Sequence, residues 1–341
     1  MNFYLGLLEG VRAAPLTRKV LSPMNILFLL LLVWMGAGIL APSAFSQVGL
    51  MPIPTLKGVE VQAETTVDPG TLRYTYRYTI SNPAGNTGKI WHVEVDVTTT
   101  IPRAAGLPVF DSSGLTIPLG RNLFTFDREL ASLQPLALPA GTTIVPFGQQ
   151  APPGWNGGLM RNGFASFGSS GPEVEVLPGQ TLPGFALLGP GMPTIRKMKV
   201  RPMWTYVVPD VHVSDPEEEA AAGQVEQNIT VHTFTLGPSA QTPGTLAHWD
   251  QVRDDLNQAI QLGWIPDARL AKTLVTQLAS ARQALDAQKA AEARTRLQTL
   301  IQTITRSTPT QRRREAFDLV LLNAQRLVEN TAVTEFPIQP K

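Results

Sequence analysis

The side chains from which this chain could build a reactive site are four histidines, His92, His212, His232 and His248, and a scatter of carboxylates. No histidine stands in an HExxH or other paired-ligand spacing. A zinc site needs several convergent ligands, so structural or surface roles are expected for all of them. The run Asp215-Pro216-Glu217-Glu218-Glu219 sets Asp215, Glu217, Glu218 and Glu219 close together. Calcium takes hard oxygen ligands, but the run lacks calcium-loop spacing. It reads as a solvated loop tip and only a weak metal candidate, and no cofactor is implied. In Gly163-Phe164-Ala165-Ser166-Phe167-Gly168 the serine falls one residue late for a GxSxG elbow. Glu94 and Asp96 share one face of a strand. They are expected to be solvated, because glycoside chemistry requires two carboxyls facing one sugar. The glycines lie between strands rather than ahead of a helix, so no phosphate cradle is indicated.

Aromatic side chains are the other candidates. Tyr74, Tyr76, Tyr78, Trp91, Trp155 and Trp204 could stack on sugar rings, as flat apolar faces do. Strict alternation assigns the tyrosines and Trp91 to a core. Trp155, within Pro152-Pro153-Gly154-Trp155-Asn156-Gly157-Gly158, reads as an exposed loop aromatic. It and Trp204 are the ligand-contact candidates. Arg312, Arg313 and Arg314 read as a solvated helix face.

Composition narrows the classes. Of 341 residues, 43% are apolar and 16% charged, with formal net charge +1. Residues 1–46 hold three basic residues and one acidic, leaving 25 basic against 26 acidic residues beyond them. A near-neutral body gives no electrostatic reason to seek nucleic acid or anionic lipid. The chain has no cysteine, which excludes disulfides, thiol catalysis and thiolate zinc sites.

Positioning elements follow from periodicity. In Thr71–Thr98 the row Leu72, Tyr74, Tyr76, Tyr78, Ile80 alternates with Arg73, Thr75, Arg77 and Thr79. Trp91, Val93, Val95 and Val97 alternate with His92, Glu94, Asp96 and Thr98. Period-two alternation is the mark of half-buried strands. The connection Ser81-Asn82-Pro83-Ala84-Gly85-Asn86-Thr87-Gly88 holds turn residues, which predicts a hairpin. Val59, Val61 and Ala63 start a preceding strand, so three strands are expected in meander order. Between Ile101 and Pro193 frequent Pro and Gly predict edge strands and long loops, with further strands near 164–167, 174–177, 198–208 and 229–236. The pattern predicts an antiparallel, Ig-like β-sandwich over 47–236.

The N-terminus carries Arg12, Arg18 and Lys19, an apolar run from Ile26 to Ala41, and Ala44-Phe45-Ser46. Basic, apolar and small-residue regions in that order predict a signal peptide over 1–46; left uncleaved, the same run would anchor the chain to a membrane. After an expected linker at 237–244, apolar stripes at helical spacing predict a small four-helix bundle over 245–332, then a tail. The stripes are Trp249/Val252/Leu256/Ile260, Leu270/Leu274/Leu278/Ala281/Leu285, Ala293/Leu297/Leu300/Ile301/Ile304 and Phe317/Leu321/Ala324/Val328. Thr308-Pro309-Thr310-Gln311 predicts the start of the last helix.

Two resemblances enter here. The stretch Leu177–Gly191, with its Pro-Gly turn and Gly184-Phe185, is similar to segments that precede the closing strands of sandwich domains in bacterial secreted proteins. The segment 263–304, with 316–330, resembles the FIMAH-type helical domain. The matching features are Ile265, the Leu270/Leu274/Leu278 stripe, Ala281, Ala293/Leu297/Ile301 and Asn323–Val328. It departs where the family usually has Gly-Lys before its last helix and this chain has Arg312–Arg314. The resemblance implies an accessory module on an exported protein. The expectation is a non-catalytic cell-envelope or extracellular interaction or scaffold protein, secreted, periplasmic or on the cell surface, with a protein or glycan partner. The alternative is a carbohydrate-binding module, or a hydrolase.

Overall fold

A computed structural model describes residues 53–101, 124–125, 138–145, 147–160, 162–204 and 216–333. All of them belong to one compact unit. The expected signal peptide, Asp215, His212 and the tail from 334 lie outside the described residues. In chain order the elements are β1 (Glu60–Asp68), β2 (Arg73–Ser81), β3 (Ile90–Asp96), β4 (Thr98–Thr99), β5 (Phe124–Thr125), β6 (Thr143–Ile144), β7 (Gly148–Gln150), β8 (Trp155–Leu159), β9 (Phe164–Ser169), β10 (Thr181–Gly189), β11 (Pro193–Pro202), α1 (Pro216–Ile229), β12 (Val231–Pro238), α2 (Leu246–Gln261), α3 (Ala268–Asp286), α4 (Ala290–Arg306) and α5 (Arg314–Val333). The class is broadly α+β. Two five-stranded antiparallel sheets run in the orders β1-β2-β10-β7-β5 and β12-β11-β3-β9-β8, with a short β4–β6 ladder beside them. No helix among the described residues is long and apolar enough to cross a membrane.

Alternation places the inward rows as expected for Val61, Ala63, Tyr74, Tyr76, Tyr78 and Ile80, which are buried; Leu72, expected in the same row, falls in the turn before β2 at φ +56° and is exposed. The expected hairpin does not form. β2 pairs with β1 and β10, whereas β3 pairs with β11 and β9 in the other sheet. The connection Ser81–Gly88 is a crossover between sheets. Its Asn82 Nδ2 donates to Gly88 O and Val176 O, both at 2.9 Å, and Asn86 Oδ1 accepts from Lys57 N at 2.6 Å. The bonds to Val176 and Lys57 tie the loop to two distant segments, and the local turn that Asn86 N closes on Pro83 O does not bring β2 and β3 together. Two matched apolar faces fit across a core as well as side by side, and a face pattern alone does not choose between these.

The sheets share one core. Tyr76 and Tyr78 point from β2 to the opposite layer, where Tyr76 Oη donates to Gly191 O (2.5 Å) and Tyr78 Oη to Leu236 O on β12 (2.8 Å). Phe185 meets Trp155 edge-on at 4.9 Å and Phe167 at 5.4 Å. Trp91 leaves the expected row: pairing slips between Arg201/His92 and Pro202/Ile90, so Trp91 sits in a bulge. It is half-buried and stacks on His92 at 5.0 Å. Proline occupies the two ends of β11 and, with Gly184 at φ +102°, the bulge of β10, where missing amide donors cost the ladder nothing.

The expected acidic loop is instead the start of α1, a helix that leads into β12. The expected linker is not a free spacer: Gly237 and Pro238 complete β12, and Ser239 and Ala240 are buried. Beyond it, Thr245 caps α2 by accepting from His248 N, and Asp267 caps α3 by accepting from Arg269 N and Leu270 N. Gly263, φ +69°, follows the end of α2. The expected start at Thr308 is a turn in which Thr308 N donates to Gln311 Oε1 (2.9 Å). Arg313 N is taken by Trp264 O (2.7 Å), and α5 begins only at Arg314. The buried apolar side chains of α5 are Ala316, Leu319, Val320, Leu322, Ala324 and Leu327; of the expected Phe317/Leu321/Ala324/Val328 row only Ala324 is fully inside and the other three are partly buried, because α5 is covered by α4 on one side and by β1 on the other.

Replacing Tyr78 by Phe deletes one hydrogen bond across the core without opening a cavity. The expected loss is about 1 kcal/mol, against about 3–5 kcal/mol for Tyr78→Ala, read from urea unfolding curves.

Candidate functional site

The fold gathers ionisable side chains in two places. The first is the seam between α2, α5 and the sheets. β1 is the outer strand of its sheet, so its outward amides lack a strand partner. Helix α5 supplies carboxylates instead: Ala63 N donates to Glu315 Oε1 at 2.9 Å and Thr65 N to Asp318 Oδ2 at 2.7 Å. Glu315 and Asp318 lie one turn apart, as i and i+3 on one helix face, which matches the two-residue spacing of outward amides on a strand. On α2, Asp255 Oδ1 accepts from Ile195 N on β11 at 3.4 Å and is also bonded by the Thr194 hydroxyl. All three carboxylates are buried, with Asp318 only 2% exposed. Burial raises their pKa values, to about 6 for both Asp255 and Asp318. Arg314 bridges Asp318 and, at 3.0 Å, Glu64 of β1.

A neutral chain of hydrogen bonds continues the seam. Gly244 N donates to His248 Nδ1 (3.1 Å), His248 Nε2 lies 3.0 Å from Asn323 Oδ1, and Asn323 Nδ2 donates to Pro193 O and Leu319 O, both at 2.8 Å. With Nδ1 accepting, Nε2 carries the ring proton. Burial lowers the His248 pKa, which keeps the ring in that neutral form.

The second place is the outer face of β3. Glu94 is fully buried, not solvated as expected, and no sugar-facing pair forms with Asp96. Asp96 is half-buried and its Oδ1 accepts from Thr98 N and Oγ1. Around Glu94 stand Arg201 Nη2 at 2.9 Å, His92 Nδ1 at 3.3 Å and Lys199 Nζ at 3.6 Å. Arg201 also contacts Glu226 of α1, and Lys199 lies 4.2 Å over the Phe164 ring. Burial by itself would raise the Glu94 pKa, but His92, Arg201 and Lys199 outweigh it and the net shift is downward. A carboxylate held ionised by two cations of the neighbouring strand is a poor proton donor and a weak base. Ser166 faces Glu94 in the β3–β9 register as a buried neighbour.

The ligand-contact candidates do not meet. Trp155 is not an exposed loop aromatic: it begins β8, is fully buried, and donates from Nε1 to Val174 O at 2.9 Å. Gly154 turns the chain into it at φ +78°, with an added Cβ falling 2.5 Å from Val174. Trp204 is half-buried just beyond β11. His232 is exposed on β12. Glu217, Glu218 and Glu219 belong to α1, and among the described residues no group of three or more His, Asp or Glu could hold a metal. Arg312 lies 4.0 Å from the Phe317 ring centroid and bonds Ser307, so this part of the basic run is held locally, and Arg314 is part of the seam. Sequence reasoning missed Asp255, Glu315 and Asp318, whose only signal was a carboxylate inside the apolar phase of a helix. Comparison of the chain with family models, with curated proteins and with solved structures returns no match.

Two substitutions separate these roles. Trp155→Ala should cost about 3–5 kcal/mol of stability, as removal of a buried large aromatic does, rather than delete a surface contact. Glu94→Gln should cost about 3 kcal/mol or more by leaving Arg201 and Lys199 without their carboxylate, seen as a lower denaturant midpoint.

Proposed function

We propose that this chain is an exported, non-catalytic cell-envelope or extracellular interaction protein. In this reading an Ig-like sandwich and a FIMAH-like four-helix bundle act as one rigid body. The observation that carries it is the use of the buried ionisable groups. Asp255, Glu315 and Asp318 hold backbone amides, His248 and Asn323 join loop, helices and strand, and Glu94 is neutralised by cations. Groups spent on internal bonds build a scaffold, whereas catalysis needs them aimed at a bound reactant. The export pattern Arg12–Ser46 supplies the location, and the absence of cysteine suits either side of a membrane. The carbohydrate-binding alternative loses its first candidate, because Trp155 has no face open to a sugar.

The reading is tested in two steps. Cell fractionation should find the protein outside the cytoplasm, with a mature N-terminus after Ser46 by mass spectrometry; a cytoplasmic chain beginning at Met1 overturns export. Binding of the purified protein to a glycan array would favour the carbohydrate alternative. A chain truncated after Gly244 should be insoluble or aggregated, since it bares the β1 edge and the core surface covered by α2 and α5. A soluble, folded sheet body would show that the helices are a separable appendage.

A further inference from the structure

The seam holds its helices with acids in places where apolar or neutral side chains would ordinarily stand. Asp255, Glu315 and Asp318 are 6%, 3% and 2% exposed, and each accepts from the backbone of a strand: Ile195, Ala63 and Thr65 in turn. Few full charges face them. Asp255 has Gln251 on its own helix, the Thr194 hydroxyl and Arg196 on β11. Arg196 is itself committed to Thr98 O and Pro238 O. Glu315 has Arg313, in the turn just before its helix, and the Ala63 amide from β1. Asp318 is paired with Arg314 at 3.0 Å, which works against its burial and is in turn offset by the nearby Glu64 carboxylate. Burial among amides and hydroxyls penalises a carboxylate and not a carboxylic acid, and an acid still offers its carbonyl oxygen to an amide.

We propose that the seam between the helices, the β1 edge and the start of β11 is a pH-responsive latch, tighter at mildly acidic pH than at neutral pH. Folded Asp255 and Asp318 keep their protons to about pH 6, whereas an unfolded aspartate releases its proton near 3.8. Folding therefore takes up protons in that window. The contribution of these groups is complete below it and is lost as the pH rises through 6. Glu315 is shifted in the same direction. His248 opposes them: its ring is buried neutral between Gly244 N and Asn323, with Arg326 nearby, so falling pH below the ordinary 6.5 works against the seam. The latch therefore requires Asp255, Asp318 and Glu315 together to outweigh the one imidazole over this range, a balance that the His248 variant isolates. Glu94, Asp68, Asp267 and Glu292 are shifted the opposite way, with lowered pKa values.

The test is hydrogen exchange of the full chain at pH 7.5 and 5.5, corrected for the intrinsic pH dependence of exchange. The amides of Ala63 and Thr65 should gain about tenfold protection at pH 5.5, while Tyr76 and Tyr78, inside the sheet, change less. In Asp255→Asn/Asp318→Asn the proton is removed but an acceptor oxygen stays, so that gain should shrink to a fraction. In His248→Gln the gain should increase. Equal protection at both pH values in the unaltered chain, or an undiminished gain in the double variant, overturns the latch. If the variants do not fold, the comparison on the unaltered chain decides alone.

Discussion

An outer strand of a sheet has half of its amides facing away from any strand partner, and the rest of this molecule is arranged around satisfying them. β1 is such a strand, and Ala63 N and Thr65 N are its outward donors. Left bare, that row would template pairing with another chain. Helix α5 closes it with Glu315 and Asp318, which sit one helical turn apart and so match two strand positions. That single match sets where α5 lies along the sheet. It thereby sets α4 and α2, which rest on α5, and α3, which rests on α2 and α4. The solvent row of β1, Glu60, Gln62, Glu64, Thr66 and Asp68, faces Arg77 and Arg73 across the ladder, which adds charge complementarity on the open side.

Carboxylates are an expensive way to make this joint. Apolar packing of similar volume would often hold two layers together as well or better, and a buried acid must be desolvated. What the acids add is register. A leucine stripe tolerates sliding by a turn, whereas an oxygen 2.7 Å from one amide does not. The chain Gly244–His248–Asn323–Pro193 does the same midway along α5, fixing the entry to α2 against both the last helix and β11. Helix α5 is thus keyed to the sheets at its start and at its middle by directional bonds, with apolar contact filling the space between.

The Glu94 network shows the same economy on the outer face of β3. Neighbouring strands place Lys199 directly opposite Glu94, and Arg201 opposite His92. Cross-strand neighbours of opposite charge meet without any loop having to bring them there. Glu94 and His92 are buried, and the half-buried Lys199 and Arg201 lie against them, so the carboxylate is committed to its neighbours.

Which residues turn inward was legible from sequence. Period-two alternation follows from strand geometry, so Tyr74, Tyr76 and Tyr78 could be assigned to the core before any neighbour was known. The helical stripes of α3 and α4, Leu270/Leu274/Leu278 and Leu297/Leu300/Ile304, follow from the 3.6-residue turn in the same way. Which elements lie side by side is decided by tertiary structure alone. Ser81–Gly88 crosses between sheets because Asn82 and Asn86 bind segments near 57 and 176, a choice made by partners far along the chain. Trp155 is buried because Phe185 and Val174 close over it, and Glu94, Asp255, Glu315 and Asp318 are buried because their partners arrive from other strands and helices. A side chain's facing is a local property of backbone geometry. Its partner is a property of the whole fold, and it is the partner that decides whether an acid is a solvated charge or a joint.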